Sequence, residues 1–174
     1  MSKPDLSRVP HFYHNYIGYV LEDDLKNAFS QNQQNLIDLL QSIPGERWDY
    51  SYAEGKWSIK ELVQHLVDAE RIFCYRALCF ARKDNVALPG FDENIYAMNS
   101  KANQRSKENL IQEMQVVQQS TAAMFNSFDE DQLQSSGIAN NNSIYVSAIG
   151  FIITGHALHH KIILEERYLQ KNPA

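Results

Sequence analysis

The sequence predicts an all-α protein, a four-helix bundle with a long crossover between its second and third helices. Three observations predict it. Apolar residues recur at three- and four-residue steps over four segments, each roughly 20 to 26 residues long. Turn and cap residues punctuate the boundaries between those segments. No internal repeat, low-complexity run or linker divides the 174 residues, so one bundle domain spans 1–174, with residues 1–18 as an N-terminal arm.

The arm carries Pro4, Pro10 and the rings of Phe12, Tyr13, Tyr16 and Tyr19, with His11 and His14 among them. It reads as an irregular or partly helical segment whose rings pack on the main body. The first long helix spans 20–43 on the stripe Leu21, Leu25, Phe29, Leu36, Leu39, Leu40 and Ile43, interrupted by the polar run Gln31-Asn32-Gln33-Gln34-Asn35. Pro44-Gly45 ends it. Ser58-Ile59-Lys60-Glu61 is a capping box and opens the second helix, 59–83. Its buried stripe is Ile59, Leu62, Leu66, Ala69, Phe73, Ala77 and Phe80, and His65 falls beside that stripe.

Residues 84–105 form the crossover, with Asp92 and Glu93 as turn caps or cleft carboxylates. Leu110, Met114, Val117, Thr121, Met124, Phe125 and Phe128 define a third helix, 107–128. Asp129 to Asn142 reads as a polar loop. The fourth helix, 145–170, would be roughly 39 Å long. Asn172-Pro173-Ala174 closes the chain.

Composition excludes several function classes. Hydrophobic content of 44% and a net charge of -5, with no basic block, leave no electrostatic footprint for nucleic acid or an anionic membrane. No apolar run is long enough to span a bilayer and no signal region opens the chain, which places the protein in the cytoplasm. Cys74 and Cys79, five apart on one helix, point about 140° apart and read as reduced packing residues.

The candidate site is carried by histidines. His156 and His160 are i and i+4, about 40° apart around the fourth helix, so two imidazoles reach one point. His65 adds a third from the second helix. A buried imidazole needs partners for both nitrogens. A divalent cation satisfies one nitrogen of each ring and leaves a coordination position open. The alternative for each histidine alone is a hydrogen-bonded core residue. His159 is a spare that a different helix rotation would bring inward, and Asp68, three after His65, could orient its ring. The chain has no His-Glu-x-x-His, Glu-x-x-His, phosphate loop or Gly-x-Ser-x-Gly.

The segment Lys56-Trp57-Ser58-Ile59-Lys60-Glu61-Leu62-Val63-Gln64-His65-Leu66, followed about 90 residues later by Gly155-His156-Ala157-Leu158-His159-His160, resembles the DinB/YfiT-like family. Arg8-Val9-Pro10-His11-Phe12-Tyr13 and Leu88-Pro89-Gly90-Phe91-Asp92-Glu93-Asn94 resemble one branch of it. The resemblance implies an up-down-down-up bundle, frequent homodimerisation and a metal-binding triad on His65, His156 and His160, holding nickel, zinc or iron. It also implies small-molecule substrates, with low-molecular-weight thiols among the partners. The expected function is therefore a metal-dependent enzyme activating water or such a thiol, a hydrolase or transferase. The alternative is a non-catalytic, stress-related scaffold with a structural or vestigial metal.

Overall fold

The structure, a computed structural model, describes residues 2–170. Its helices are α1 (His14–Tyr19), α2 (Leu25–Ser42), α3 (Ile59–Ala81), α4 (Glu93–Asn99), α5 (Lys107–Asn126), α6 (Glu130–Gln134) and α7 (Val146–Ile163). A hairpin of β1 (Ser136–Ala139) and β2 (Asn142–Tyr145) precedes α7. The long helices α2, α3, α5 and α7 form the bundle. The predicted first helix begins later than expected, at Leu25, because Asp24 caps it by accepting from the amides of Lys26 and Asn27. The predicted fourth helix ends at Ile163 and continues as a π-helical turn, Leu164–Tyr168. The closing Asn172-Pro173-Ala174 lies outside the described residues.

Contacts between helix ends give the directions. Lys107, at the start of α5, donates to the carbonyls of Gln41 and Ile43 at the end of α2, so those helices are antiparallel. Ser58 meets Asn103, and Thr121 meets Glu70, so α3 and α5 run the same way. Tyr168 donates to the Trp57 carbonyl at 2.8 Å, setting the end of the α7 segment beside the start of α3. The order is up-down-down-up. Around the bundle, α2 packs on α5 and α7, and α3 packs on the same two. Helices α2 and α3 are antiparallel, as their connection predicts, but they face each other across the bundle diagonal.

The core has two apolar halves. One gathers Leu25, Phe29, Phe73, Phe80, Phe125 and Phe151; the other gathers Leu36, Leu40, Trp48, Leu62, Leu110 and Leu164. Between them runs a belt of buried polar side chains: Asn32, His65, Glu70, Gln118, Thr121, Thr154 and His156. The polar run at 31–35 therefore does not interrupt α2. It supplies that helix's share of the belt, with Asn32 bonded to the Ala28 carbonyl and Gln33 to the Gln118 carbonyl.

The 129–142 segment corrects the expected loop. It holds α6 and a hairpin whose two-residue turn, Asn140-Asn141, takes positive φ at both positions. That is the turn a tight hairpin requires, and asparagine tolerates it. Leu88 of the crossover bonds alongside β1 through Ile138 and Asn140. The crossover is also held by Arg76, a buried residue that donates to the Pro89 carbonyl at 2.9 Å.

Candidate functional site

The site starts from a helix cap. Ser58 Oγ accepts from the Glu61 amide, and the Glu61 carboxylate accepts from the Ser58 amide at 2.8 Å. This reciprocal cap fixes where α3 begins and so where His65 points, two turns in. His156 and His160 project from successive turns of α7. The Nε2 atoms of His65 and His156 lie 3.0 Å apart, and His160 Nε2 lies 3.1 Å from the same His156 nitrogen. One ring nitrogen from each histidine falls within 4.8 Å of the other two.

Three imidazoles cannot satisfy each other in this arrangement. His156 Nε2 carries either one proton or one lone pair, yet it faces two nitrogens. Burial holds His65 down at about 4 and His160 at about 3, and pushes the enclosed His156 well below its ordinary range. The rings are therefore neutral near neutral pH, the form that ligates a metal. Neutral nitrogens converging on one point fit a divalent cation, and among the described residues no carboxylate or thiolate joins the group.

Aromatic rings enclose the cluster. Trp57 packs on His65 at 4.8 Å, and Tyr16 meets His156 edge-on at 5.4 Å. Tyr16 reaches there because α1 lies directly on α7 at Gly155. A Cβ at that position would stand 1.9 Å from the Tyr16 carbonyl oxygen, so only glycine allows the approach. Burial raises the Tyr16 phenol above its usual range, and the Glu93 carboxylate adds to the effect. A cavity of about 240 Å3 opens beside His160, lined in part by Tyr52, Lys56, Trp57, Asn94 and Tyr168.

Other residues singled out in the sequence lie elsewhere. His159 packs against Tyr16 and Tyr19, on the arm side of α7. Asp68 accepts from Gln64 Nε2 at 2.9 Å, the i−4 neighbour on its own helix, which is where its carboxylate is held rather than at His65. Asp92 caps α4 through the amides of Asn94 and Ile95. Glu93 is exposed and acts on the site through its charge on Tyr16. His14 bonds the Val9 carbonyl, and His11 packs on His14. Cys74 and Cys79 are free. Sequence reasoning missed Trp57, Tyr16 and Tyr168 as site walls. A signal existed for Tyr16: a glycine inside an apolar helix, next to His156, marks a close approach.

Known proteins resemble this chain in sequence and in fold. A curated protein of Oceanobacillus iheyensis, named as a putative metal-dependent hydrolase, is 24% identical over 126 residues, 72% of each chain. YfiT from Bacillus subtilis, described as a probable metal-dependent hydrolase with an unusual four-helix bundle topology, superposes with a TM-score of 0.66 at 15% identity. It covers 92% of this chain and 87% of its own. A mycothiol-dependent maleylpyruvate isomerase gives a TM-score of 0.67 at 10% identity, over 79% of this chain and 58% of its own. These two likenesses establish the shared fold. The family profile of the DinB superfamily matches residues 28–164, from within α2 to the end of α7. On that match, which takes in all four bundle helices and the three converging histidines, the chain belongs to the DinB superfamily.

Proposed function

We propose that this chain is a metal-dependent enzyme of hydrolase or transferase type, with one divalent cation (nickel, zinc or iron) held by His65, His156 and His160. The observation that carries the reading is the convergence of three neutral Nε2 atoms, two on buried rings and one on the half-buried His160, that cannot satisfy one another. A bound cation would supply Lewis-acid activation of a water or a low-molecular-weight thiol. The chain's own residues do the rest. Trp57, Tyr16 and Phe73 shield the imidazoles from bulk water. The cavity beside His160 admits a small molecule. Tyr16 keeps its phenolic proton through neutral pH, which suits a proton donor at the rim of the site.

The metal-dependent hydrolase naming of the Oceanobacillus relative supports the class, and the thiol-dependent isomerase neighbour supports a thiol partner. The alternative, a scaffold with a structural metal, predicts a closed site with a fourth protein ligand. The open cavity favours the enzyme. The same reading keeps the protein in the cytoplasm as a homodimer, without nucleic-acid or membrane partners. The net charge of -5 supports the exclusion of nucleic acid and anionic membranes, and among the described residues no helix is long and apolar enough to cross a membrane.

Elemental analysis of untagged protein tests the proposal. The expected result is about one divalent ion per chain in the wild type and loss of that ion in His156→Ala. Wild-type protein that is metal-free and takes up neither nickel, zinc nor iron on reconstitution overturns it.

A further inference from the structure

We propose that the cavity beside His160 is a preformed site for a small carboxylic acid with a flat apolar body, its anion read by Lys56 and its body held by Trp57 and Tyr52. This deepens the function above and rests on the cavity being the substrate's approach to the three histidines.

The cavity walls are rigid. Tyr52 and Tyr168 pack edge to face at 4.9 Å, and Tyr168 donates its hydroxyl to the Trp57 carbonyl. Trp57 is held from behind by His65. Arg47 donates to the Tyr168 carbonyl, fixing the far wall. Aromatic walls already locked in place lose little freedom when a ligand enters.

The charge of the lining is positive. The chain carries a net -5, yet the residues lining this cavity include no carboxylate and one cation, Lys56. Lys60, Lys83 and Lys161 each pair with a carboxylate. Among the described residues Lys56 pairs with none. The guanidinium of Arg167 lies 5.6 Å from the Tyr52 ring and adds positive charge behind that wall. Asn94 supplies an uncharged amide at the rim.

A cavity of about 240 Å3 is below the usual range for drug-sized ligands and suits a small molecule. A flat body between aromatic rings with its anion at Lys56 leaves the opposite end facing His160.

Trp57 is also the reporter. The chain has two tryptophans, and Trp48 is fully buried in the core and does not line the cavity. The experiment titrates benzoate and the neutral isostere benzamide against metal-free and zinc-loaded protein, following tryptophan emission. The expected result is saturable quenching by benzoate in both forms, with benzamide binding at least about threefold more weakly. Lys56→Gln should erase that difference, and Trp57→Phe should abolish the signal while Trp48 emission persists. Equal binding of benzoate and benzamide, no saturable change with either, or a preference unaltered in Lys56→Gln overturns the proposal. Because the metal-free arm needs no cation, benzoate selectivity without metal uptake sinks only the metal reading. Metal uptake without benzoate selectivity sinks only this one.

Discussion

Thr121 has one hydroxyl proton and two acceptors in reach, Glu70 Oε1 at 2.5 Å and the Val117 carbonyl at 2.9 Å, with the Cys74 sulfur 3.1 Å away. The count closes if Glu70 is protonated. Its O–H then donates to Thr121, Thr121 donates to Val117, and the thiol donates to Thr121. Burial pushes Glu70 up to about 7 against the opposing Thr121 hydrogen bond, and burial, with the Glu70 charge adding to it, pushes Cys74 up to about 12. Glu70 holds its proton in the folded chain at pH values where the unfolded chain has released it. Stability therefore falls as pH rises from about 4.5 to about 7, by roughly 3 kcal/mol in all. The histidines act in the opposite sense. His65 and His160 stay neutral in the folded chain down to about 4 and about 3. Their contribution is whole above about 6.5 and is lost as pH falls below it, at up to about 1.4 kcal/mol per pH unit for each. Below about pH 6.5 the gain from two histidines outweighs the loss from one glutamate, so metal-free protein should gain stability up to about pH 7 and change little above it. Urea midpoints measured from pH 4 to 9 would show it, and Glu70→Gln should steepen that rise, adding about 2 kcal/mol at pH 8. A rise unchanged in that variant would mean Glu70 is ionised in the fold.

At the scale of the element, α7 carries most of the site, and its interior glycine decides how close the arm can come. Gly155→Ala places a methyl against backbone at Tyr16, which no side-chain rotation relieves. The expected loss is about 1–3 kcal/mol in urea unfolding, with increased protease access to the arm. A neutral result would show that α1 can shift freely off α7. The bundle helices were legible in the sequence because burial imposes a 3.6-residue period on them. Ser58 and Glu61 marked the start of α3 to the residue. The histidine triad was legible for the same reason: a stripe position says which side chains point inward. The hairpin was not, since β1 and β2 are four residues each and expose Ile138 while burying Ile144, too short for alternation to register. The polar run in α2 misled for a physical reason as well. Polar residues at a core position look like a break until the partners that satisfy them, here on α5, are known.

At the scale of the molecule, periodicity identifies each helix's buried face but not its neighbours. The diagonal placement of α2 opposite α3, and of α5 opposite α7, had no signal in the chain. That placement governs how the protein can fold. Most helical bundles begin from a hairpin of two consecutive helices, whose contacts close short loops. Here the pairs α2–α3 and α5–α7 have no shared face to close on, and the adjacent consecutive pair, α3–α5, must first bring the crossover back along the bundle. Every other contact among the four bundle helices joins distant parts of the sequence, so search is long for so helical a chain. The halves 1–90 and 91–174, expressed separately, should each show little cooperative helix by circular dichroism and regain it on mixing; a half that folds alone would refute this. The chain thus commits late, when both ends have arrived, and the histidines contributed by its two halves meet only once that commitment is made.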